Sequence, residues 1–306
     1  MAMLKYLPVN AGFMPPEDDT HIPPQAAKAL IIPFGLEKTV SYEGGTDKGP
    51  QAVIDASPQL EYFDEDLWCE AIKKYGIATL EAPKIADKLE DALDQLAGLV
   101  EAALAANKFP MTVGGEHSLT PGAIRPFVER AKAAGETLTI LQFDAHADLR
   151  NGYEGEHYSH AAAMRRCLDH DNVRLVSVGI RNISAEEIPF YEGNKDRIKI
   201  FWARDKYALS REDIVKAVGT GPVYITFDVD GLDASLMPAT GTPEPGGLFW
   251  NDTMTFIEAV GKHCNVIGAD VVELAPRAGL HACDFLTAKL IYKILNFALV
   301  KTKQSD

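Results

Sequence analysis

Residues 138–148 read LTILQFDAHAD, an apolar run that leads directly into two aspartates and a histidine. Such a short run rich in Leu, Ile, Thr and Phe is typical of a buried β-strand. In an extended chain alternate side chains point the same way, so Asp144, His146 and Asp148 can converge on one point. The stretch therefore predicts a buried strand whose carboxyl end carries a cluster of ligand-type side chains.

A second stretch, VYITFDVD at residues 223–230, repeats the pattern of an apolar strand followed by carboxylates. Asp228 and Asp230 are again alternate residues that can face the same point. Four carboxylates and an imidazole crowded together would repel one another and be poorly solvated. Two divalent cations remove that cost, because about four positive charges then meet about four negative ones. We therefore expect a two-metal site whose mixed ligands suit Mn2+, Zn2+ or Fe2+, the carboxylate excess favouring Mn2+.

Strand-like and helix-like segments alternate along most of the chain. The predicted strands are residues 29–35, 109–113, 137–143, 173–180, 198–202, 223–227 and 266–272. The predicted helices are residues 85–106, 120–133, 159–169, 185–193, 210–218, 251–262 and 281–299, with a further helix opening near Gln51. This alternation predicts a mainly parallel sheet with helices on both faces, a three-layer αβα fold.

The domain organisation follows from the absence of internal repeats and linkers in the sequence. Residues 1–306 are expected to form a single domain, with residues 1–28, which hold several prolines, as an extended N-terminal arm. In open parallel sheets ligands bind beyond the carboxyl ends of the strands. Gly114 to His117 and Glu273 also follow predicted strands, and we expect them at the same site as the two acidic stretches.

Composition limits the classes of partner. The net charge of −14 and pI near 5.0 argue against nucleic acid or an anionic membrane as the main partner. The four cysteines form no CxxC pair, which favours free thiols in a reducing compartment. The first residues lack the apolar stretch of a signal peptide, and no apolar run reaches the roughly 18 residues of a membrane helix. These features predict a soluble, cytoplasmic protein.

Six short motifs lie at or just after the predicted strands and helices. They are GGEHS at residues 114–118, FDAHAD at 143–148, SHA at 159–161, FDVDGLD at 227–233, TGTPEPGG at 240–247 and DVVE at 270–273. Together they resemble the ureohydrolases of the arginase and agmatinase family. The resemblance extends over most of the chain from residue 30 onward. It implies an arginase-like fold and hydrolysis of a guanidino group to urea and an amine.

The resemblance also implies a binuclear manganese site, with two Mn2+ per chain. One ion would be held by His117, Asp144, Asp148 and Asp228, and the other by His146, Asp144, Asp228 and Asp230. Asp144 and Asp228 would bridge the ions. A metal-bridging hydroxide would attack the guanidinium carbon, and Asp148 would orient it by accepting its proton.

Two further residues match catalytic and substrate-binding positions of the family. Glu273 matches the carboxylate that binds the guanidinium, a group suited to paired, planar hydrogen bonds. His160 matches a histidine that passes a proton to the leaving amine, and imidazole exchanges protons near neutral pH. His157 lies three residues away and is a rival candidate. The motif SHA favours His160.

The loop at residues 149–159 bears on the choice of substrate. Arginases carry an Asn- and Ser/Thr-rich loop here that binds the amino-acid head group, and this chain departs from that pattern. Its form resembles agmatinases, which implies conversion of agmatine to putrescine and urea, with Glu154 near the far ammonium. Arginase and guanidinobutyrase activities stay open as alternatives, since Arg150 could bind a carboxylate.

Two other interpretations of the sequence assign the protein to a different functional class. A noncatalytic relative could keep the fold, although all six expected ligand positions are occupied here. A metal-dependent deacetylase could share a related fold, but the paired aspartates at 228 and 230 together with Glu273 favour the two-metal guanidinium site. The family resemblance further implies a homo-oligomer, either a trimer or a hexamer.

Overall fold

The centre of the structure is an eight-stranded sheet in which every neighbouring pair of strands is parallel. This computed structural model describes residues 4–16 and 21–300. The strands are β1 (Ala29–Phe34), β2 (Phe63–Asp64), β3 (Cys69–Glu70), β4 (Ile77–Thr79), β5 (Phe109–Gly114), β6 (Leu138–Phe143), β7 (Val173–Ile180), β8 (Ile198–Trp202), β9 (Pro222–Asp228) and β10 (Asn265–Val272). Their order in the large sheet is β4-β1-β5-β10-β9-β6-β7-β8, and β2 and β3 form a separate antiparallel pair.

Helices cover both faces of this sheet. They are α1 (Gly49–Ala56), α2 (Ile72–Tyr75), α3 (Leu89–Ala105), α4 (Thr120–Ala134), α5 (Ala163–Cys167), α6 (Ile188–Gly193), α7 (Arg211–Val218), α8 (Trp250–His263) and α9 (His281–Leu299). Helices α3, α4 and α5 pack in sequence on one face, and α1, α9, α8 and α7 on the other. The predicted three-layer αβα fold is confirmed.

The alternation of side chains along buried strands supplies a core on each face. In β1, Ile31 belongs to the core beneath α1 and α9, whereas Leu30 and Ile32 belong to the core beneath α3 and α4. Both sets are completely buried. Continuous apolar strands of this kind are expected where a parallel sheet is covered on both faces.

Several boundaries differ from those expected from sequence. The helix expected at 85–106 begins at Leu89, because Lys88 is extended (φ −87°, ψ 142°). The helix expected at 159–169 divides into a 3-10 turn at His160–Ala162 and the short α5. Strand β4 and the β2–β3 pair were missed, since runs of two or three residues carry too little periodicity to be recognised.

The described part of the N-terminal arm packs along the edge strand β4. The backbone N–H of Phe13 donates to Thr79 Oγ1 at 2.9 Å, and the N–H of Met14 donates to Ser57 Oγ at 2.8 Å. Residues 1–3 and 17–20 of the predicted arm, and residues 301–306, lie outside the described residues. The single domain over residues 1–306 stays a prediction. Among the described helices, none is both long and apolar enough to cross a membrane.

Candidate metal centre and active site

The polar residues expected at the site follow four neighbouring strands in the middle of the sheet, β5, β10, β9 and β6. Because these strands are parallel, their carboxyl ends meet at one edge. His117 follows β5, and Glu273 follows β10 directly. Asp228 ends β9, and Asp144 is the first residue after β6. Stretches more than 100 residues apart along the chain are thereby brought to one place.

The first group of ligand-type atoms surrounds His117. Its Nδ1 lies 3.1 Å from Asp144 Oδ2, 3.1 Å from Asp148 Oδ2 and 3.4 Å from Asp228 Oδ2. All four side chains are buried. Among the described residues, Nδ1 of His117 has no hydrogen-bond partner of suitable geometry, so a buried imidazole nitrogen points into a group of carboxylates. A cation bound there would give the imidazole nitrogen a partner and offset the charge of the carboxylates.

The second group lies around His146 and shares one residue with the first. His146 Nδ1 is 3.0 Å from Asp230 Oδ2 and 3.8 Å from Asp144 Oδ1. The ligand atoms of His117, Asp144 and Asp148 lie within 4.8 Å of one another, as do those of Asp144, His146 and Asp230. Asp144 thus faces both groups, with a different oxygen toward each histidine. The six residues expected to hold metal are brought together, and two adjacent cations fit this donor set.

Hydrogen bonds to threonines outside the cluster orient the ring of His117. His117 Nε2 lies 2.8 Å from Thr226 Oγ1, which is 3.4 Å from Thr120 Oγ1. The Thr120 hydroxyl in turn donates to the buried carboxylate of Asp270 at 2.9 Å. With Nε2 bound to a hydroxyl, Nδ1 is the nitrogen left free to face the carboxylates, as is usual for metal-binding histidines.

The electrostatics of the group indicate an excess of negative charge. Burial, reinforced by Asp148, raises the pKa of Asp144 to about 7. Burial and the nearby Asp230 raise the pKa of Asp228 well above its ordinary value. Burial opposes the charged form of His146, but Asp230 overcomes this effect and raises the imidazole pKa to about 11. In the absence of cations, bound protons reduce the repulsion, which is the role that divalent ions would otherwise take.

Two of the acidic residues have backbone conformations that non-glycine residues seldom adopt. Asp148 has φ 54° and Glu273 has φ 68°. Left-handed conformations of this kind cost of order 1–3 kcal/mol each and concentrate at functional sites. Here the left-handed backbone turns the Glu273 carboxylate toward the cluster directly after β10. It turns the Asp148 carboxylate toward the cluster at the end of the FDAHAD motif.

A cavity of about 160 Å3 opens onto the cluster. His160 and Glu273 line it together with five of the six expected metal ligands, while the sixth, Asp144, is buried beneath. His157 is not among the lining residues, and its ring contacts Arg166 instead. The geometry therefore favours His160 over its rival.

Glu154 is the expected site residue that the structure does not bring to the cavity. It is exposed, has φ 52°, and borders shallow depressions on the surface rather than the cavity. Sequence reasoning instead missed Ser41 and Glu43, which line the cavity from the loop after β1. No periodic pattern or motif in that loop pointed to them.

Comparison with known proteins agrees with this fold and arrangement. The model of the arginase family matches residues 27–296, and the chain belongs to this metal-dependent family. The N(1)-aminopropylagmatine ureohydrolase of Synechocystis is 35% identical over 89% of each chain. The agmatinase of Bacillus cereus is 33% identical over 82% of this chain and 85% of its own. The crystal structure of the agmatine ureohydrolase of Thermoplasma volcanium has a TM-score of 0.80 and 29% identity over 92% of each chain.

These similarities confirm three expectations from the sequence: the ureohydrolase family, the arginase-like fold and an enzyme of the agmatinase type. They also agree with a His and Asp cluster able to hold metal. The roles of individual side chains, the identity of the metal and the number of ions stay predictions.

Proposed function

We propose that this enzyme hydrolyses the guanidino group of agmatine, giving putrescine and urea, at a site that binds two Mn2+. The observation that carries the proposal is the shared cluster of His117, Asp144 and His146 beneath a cavity lined by Glu273 and His160. When bound, two divalent cations would neutralise the carboxylates and make water a nucleophile near neutral pH. The remaining steps fall to the protein's own side chains.

Glu273 is suited to bind the guanidinium. Its Oε1 accepts a hydrogen bond from the backbone N–H of His117 at 2.6 Å, which holds the carboxylate at the cavity wall. Burial, followed by the charge of Glu116, raises the pKa of Glu273 well above its ordinary value. A planar guanidinium would supply both the missing positive charge and paired donors, so binding of the cation and ionisation of Glu273 favour each other.

His160 and Asp148 are suited to the proton transfers. Asp148 Oδ2 lies at the His117 end of the cluster, where it can accept a proton from the attacking water. His160 lines the same cavity and can deliver a proton to the amine nitrogen when the carbon–nitrogen bond breaks. This division of roles accounts for why both side chains face the cavity.

The charges around the cavity favour a substrate without a carboxylate. Among the described lining residues, Arg150 is the one with a guanidinium or ammonium group. It is already engaged, because it forms an ion pair with Glu186 and lies 4.8 Å from the centre of the Tyr153 ring. Glu43 adds a carboxylate to the lining. Its Oε2 accepts from Arg277 at 3.0 Å, so the far ammonium of agmatine would bind through Oε1. Arginine or 4-guanidinobutyrate would instead place a carboxylate beside acidic groups.

A second candidate is the aminopropyl derivative of agmatine. The N(1)-aminopropylagmatine ureohydrolases of Synechocystis and Thermus thermophilus are 35% and 34% identical to this chain. That substrate also lacks a carboxylate and carries an additional cationic amine. The argument from Glu43 and Arg150 therefore applies to both compounds, and measured rates must distinguish them.

The test is urea release by the Mn-loaded protein with agmatine, N(1)-aminopropylagmatine, arginine and 4-guanidinobutyrate in parallel. We expect the highest kcat/KM for agmatine, and a higher value for the aminopropyl derivative would transfer the proposal to that substrate. A preference for arginine or 4-guanidinobutyrate would contradict the charge argument. A chain that binds two metals and releases no urea from any of them would support a noncatalytic role.

Three further expectations accompany this proposal. Manganese is preferred over zinc because carboxylates outnumber imidazoles among the expected ligands, and hard oxygen ligands suit Mn2+. The cytoplasmic location is supported by the four cysteines, none of which forms a disulfide within the described residues. A trimer or hexamer follows from the family resemblance alone. Metal analysis of protein purified without added metal, and its sedimentation in solution, test the first and third.

A further inference from the structure

Hydroxyl groups lie beside both ring nitrogens of His160. Nδ1 lies 3.2 Å from Thr39 Oγ1 and 3.4 Å from Ser159 Oγ, and Nε2 lies 3.2 Å from Ser41 Oγ. The Thr39 and Ser41 hydroxyls belong to the loop after β1, more than 110 residues before His160 in the sequence. The backbone N–H of His160 also donates to Thr39 Oγ1 at 3.0 Å. Thr39 therefore contacts the histidine at two points.

Behind Thr39 lies a completely buried carboxylate, Glu116. Its Oε1 is 2.9 Å from Thr39 Oγ1, and its Oε2 accepts the backbone N–H groups of Lys38 at 2.8 Å and Thr39 at 2.7 Å. The Ser118 hydroxyl also donates to Oε1. An ionised carboxylate can only accept hydrogen bonds, and these four donors match that requirement.

The number of hydroxyl hydrogens then decides the direction of each bond. A threonine hydroxyl has one hydrogen and two lone pairs. If the hydrogen of Thr39 Oγ1 is donated to Glu116, the oxygen can only accept from His160. It accepts the backbone N–H and, at Nδ1, it requires an imidazole N–H. The more distant Ser159 hydroxyl, 3.4 Å from Nδ1, can accept from the same N–H. Nε2 of the neutral ring is then the unprotonated nitrogen, and it accepts the Ser41 hydroxyl.

We propose that Glu116 and Thr39 act as positioning residues that fix neutral His160 as the Nδ1–H tautomer, leaving Nε2 to exchange protons. The catalytic consequence rests on the proposed function. Nε2 takes up the proton that Asp148 has accepted from the attacking water, and passes it to the leaving amine nitrogen as the carbon–nitrogen bond breaks. The ring thereby returns to the same neutral tautomer, ready for the next turnover.

The tautomer is measurable without any substrate. Full-length protein labelled with 15N only at histidine Nδ1 and loaded with diamagnetic Zn2+ would be studied by solid-state NMR. The signal of His160 is identified by its loss in His160→Gln. We expect the shift of a protonated nitrogen in the wild type, because unprotonated imidazole nitrogens resonate far from protonated ones. An unprotonated Nδ1 in the wild type would overturn the proposal.

Variants distinguish a hydrogen-bond relay, from Glu116 through Thr39 to His160, from simple packing. Thr39→Val keeps the shape and removes the acceptor, so Nδ1 of His160 is expected to lose its proton in a substantial part of the molecules. Thr39→Ser restores the hydroxyl and the wild-type signal. Ser41→Ala, the matched control at the other ring nitrogen, leaves Nδ1 protonated. An unchanged signal in Thr39→Val, or an equal change in Ser41→Ala, contradicts the relay.

Kinetics of the Mn-loaded enzyme supply an independent test of the role of Thr39. Thr39→Val should lower kcat by roughly 100-fold, near the low end of the contribution of general acid–base catalysis. KM for agmatine and the Mn content should stay close to wild type, and Thr39→Ser should recover most of the rate. Loss of bound metal together with kcat would mark Thr39 as structural only. If the wild type released no urea, the proposed function would fail while the NMR result still decided the tautomer.

Discussion

Removal of the Asp144 carboxylate, which faces both ligand groups, should abolish the stabilisation of the fold by metal. Removal of the Asp230 carboxylate, which faces one group, should abolish only part of that stabilisation. Asp144 directs Oδ2 toward His117 and Oδ1 toward His146, while Asp230 belongs to the second group alone. An ion present at 100 times its dissociation constant stabilises a fold by about 2.7 kcal/mol, so the two proposed ions would together contribute about 5 kcal/mol. At about 2 °C per kcal/mol, the low end of the range because this chain is long, Mn2+ should raise the Tm by about 10 °C.

Thermal unfolding with and without Mn2+, together with metal analysis after gel filtration, measures this effect. Asp144→Ala should lose nearly the whole shift and both ions, as should Asp228→Ala if it bridges. Asp230→Ala should retain about half of the shift. Asp171→Ala, an exposed aspartate on the surface, is the control for loss of charge and should behave as wild type. Retention of two ions and full turnover by Asp144→Ala would refute the bridging assignment.

Four other outcomes are expected. Glu273→Gln should lower kcat/KM at least 100-fold at unchanged Mn content, because a charge-assisted contact to the guanidinium is lost; parallel loss of metal would contradict this role. Glu43→Gln should raise KM for agmatine several-fold but not for butylguanidine, which lacks the far ammonium. Equal effects on both compounds would exclude a contact between Glu43 and that ammonium. Lys293→Met should lower the unfolding free energy by about 3–5 kcal/mol, because it leaves the buried Asp64 carboxylate without its cation. Burial opposes the charged form of Asp64, but Asn296, Leu67 and Lys293 lower its pKa, so its stabilisation is present above about pH 4 and is lost as the pH falls. Stability curves of Asp64→Asn should therefore be flatter in acid than those of the wild type.

The local pattern of the sequence was sufficient for the seven strands of five or more residues and for the clusters that follow them. Asp144, His146 and Asp148 follow a buried strand at alternate positions, and the structure places them at one edge of the sheet. Thr226, which contacts His117, lies two residues before Asp228 and therefore on the same side of β9. Its position could have been inferred from the same alternation, although the motif drew attention only to the charged residues.

Other features had no local signal. Thr39 and Glu116 are 77 residues apart, and Thr39 and His160 are 121 residues apart, so only the order of strands brings them into contact. The left-handed backbone of Glu273 is likewise imposed by surrounding structure, since glutamate does not favour it, whereas Asp148 belongs to a residue type that adopts this conformation more often. The expected contact of Glu154 with substrate rested on its loop alone, and the course of that loop depends on tertiary packing.

The order of strands in the sheet has a consequence for how the protein is made. Strands β5 and β6 are consecutive along the chain, yet β10 and β9 lie between them. Residues 29–202 can therefore form two separate groups, β4-β1-β5 and β6-β7-β8, that share no hydrogen-bonded strand pair until residues 222–272 are synthesised. Pairings so distant in sequence form late, because loop closure must come first. His117 and Asp144 sit on opposite groups, so a nascent chain that already holds both cannot yet assemble the metal site, and ion capture should mark the last step of folding.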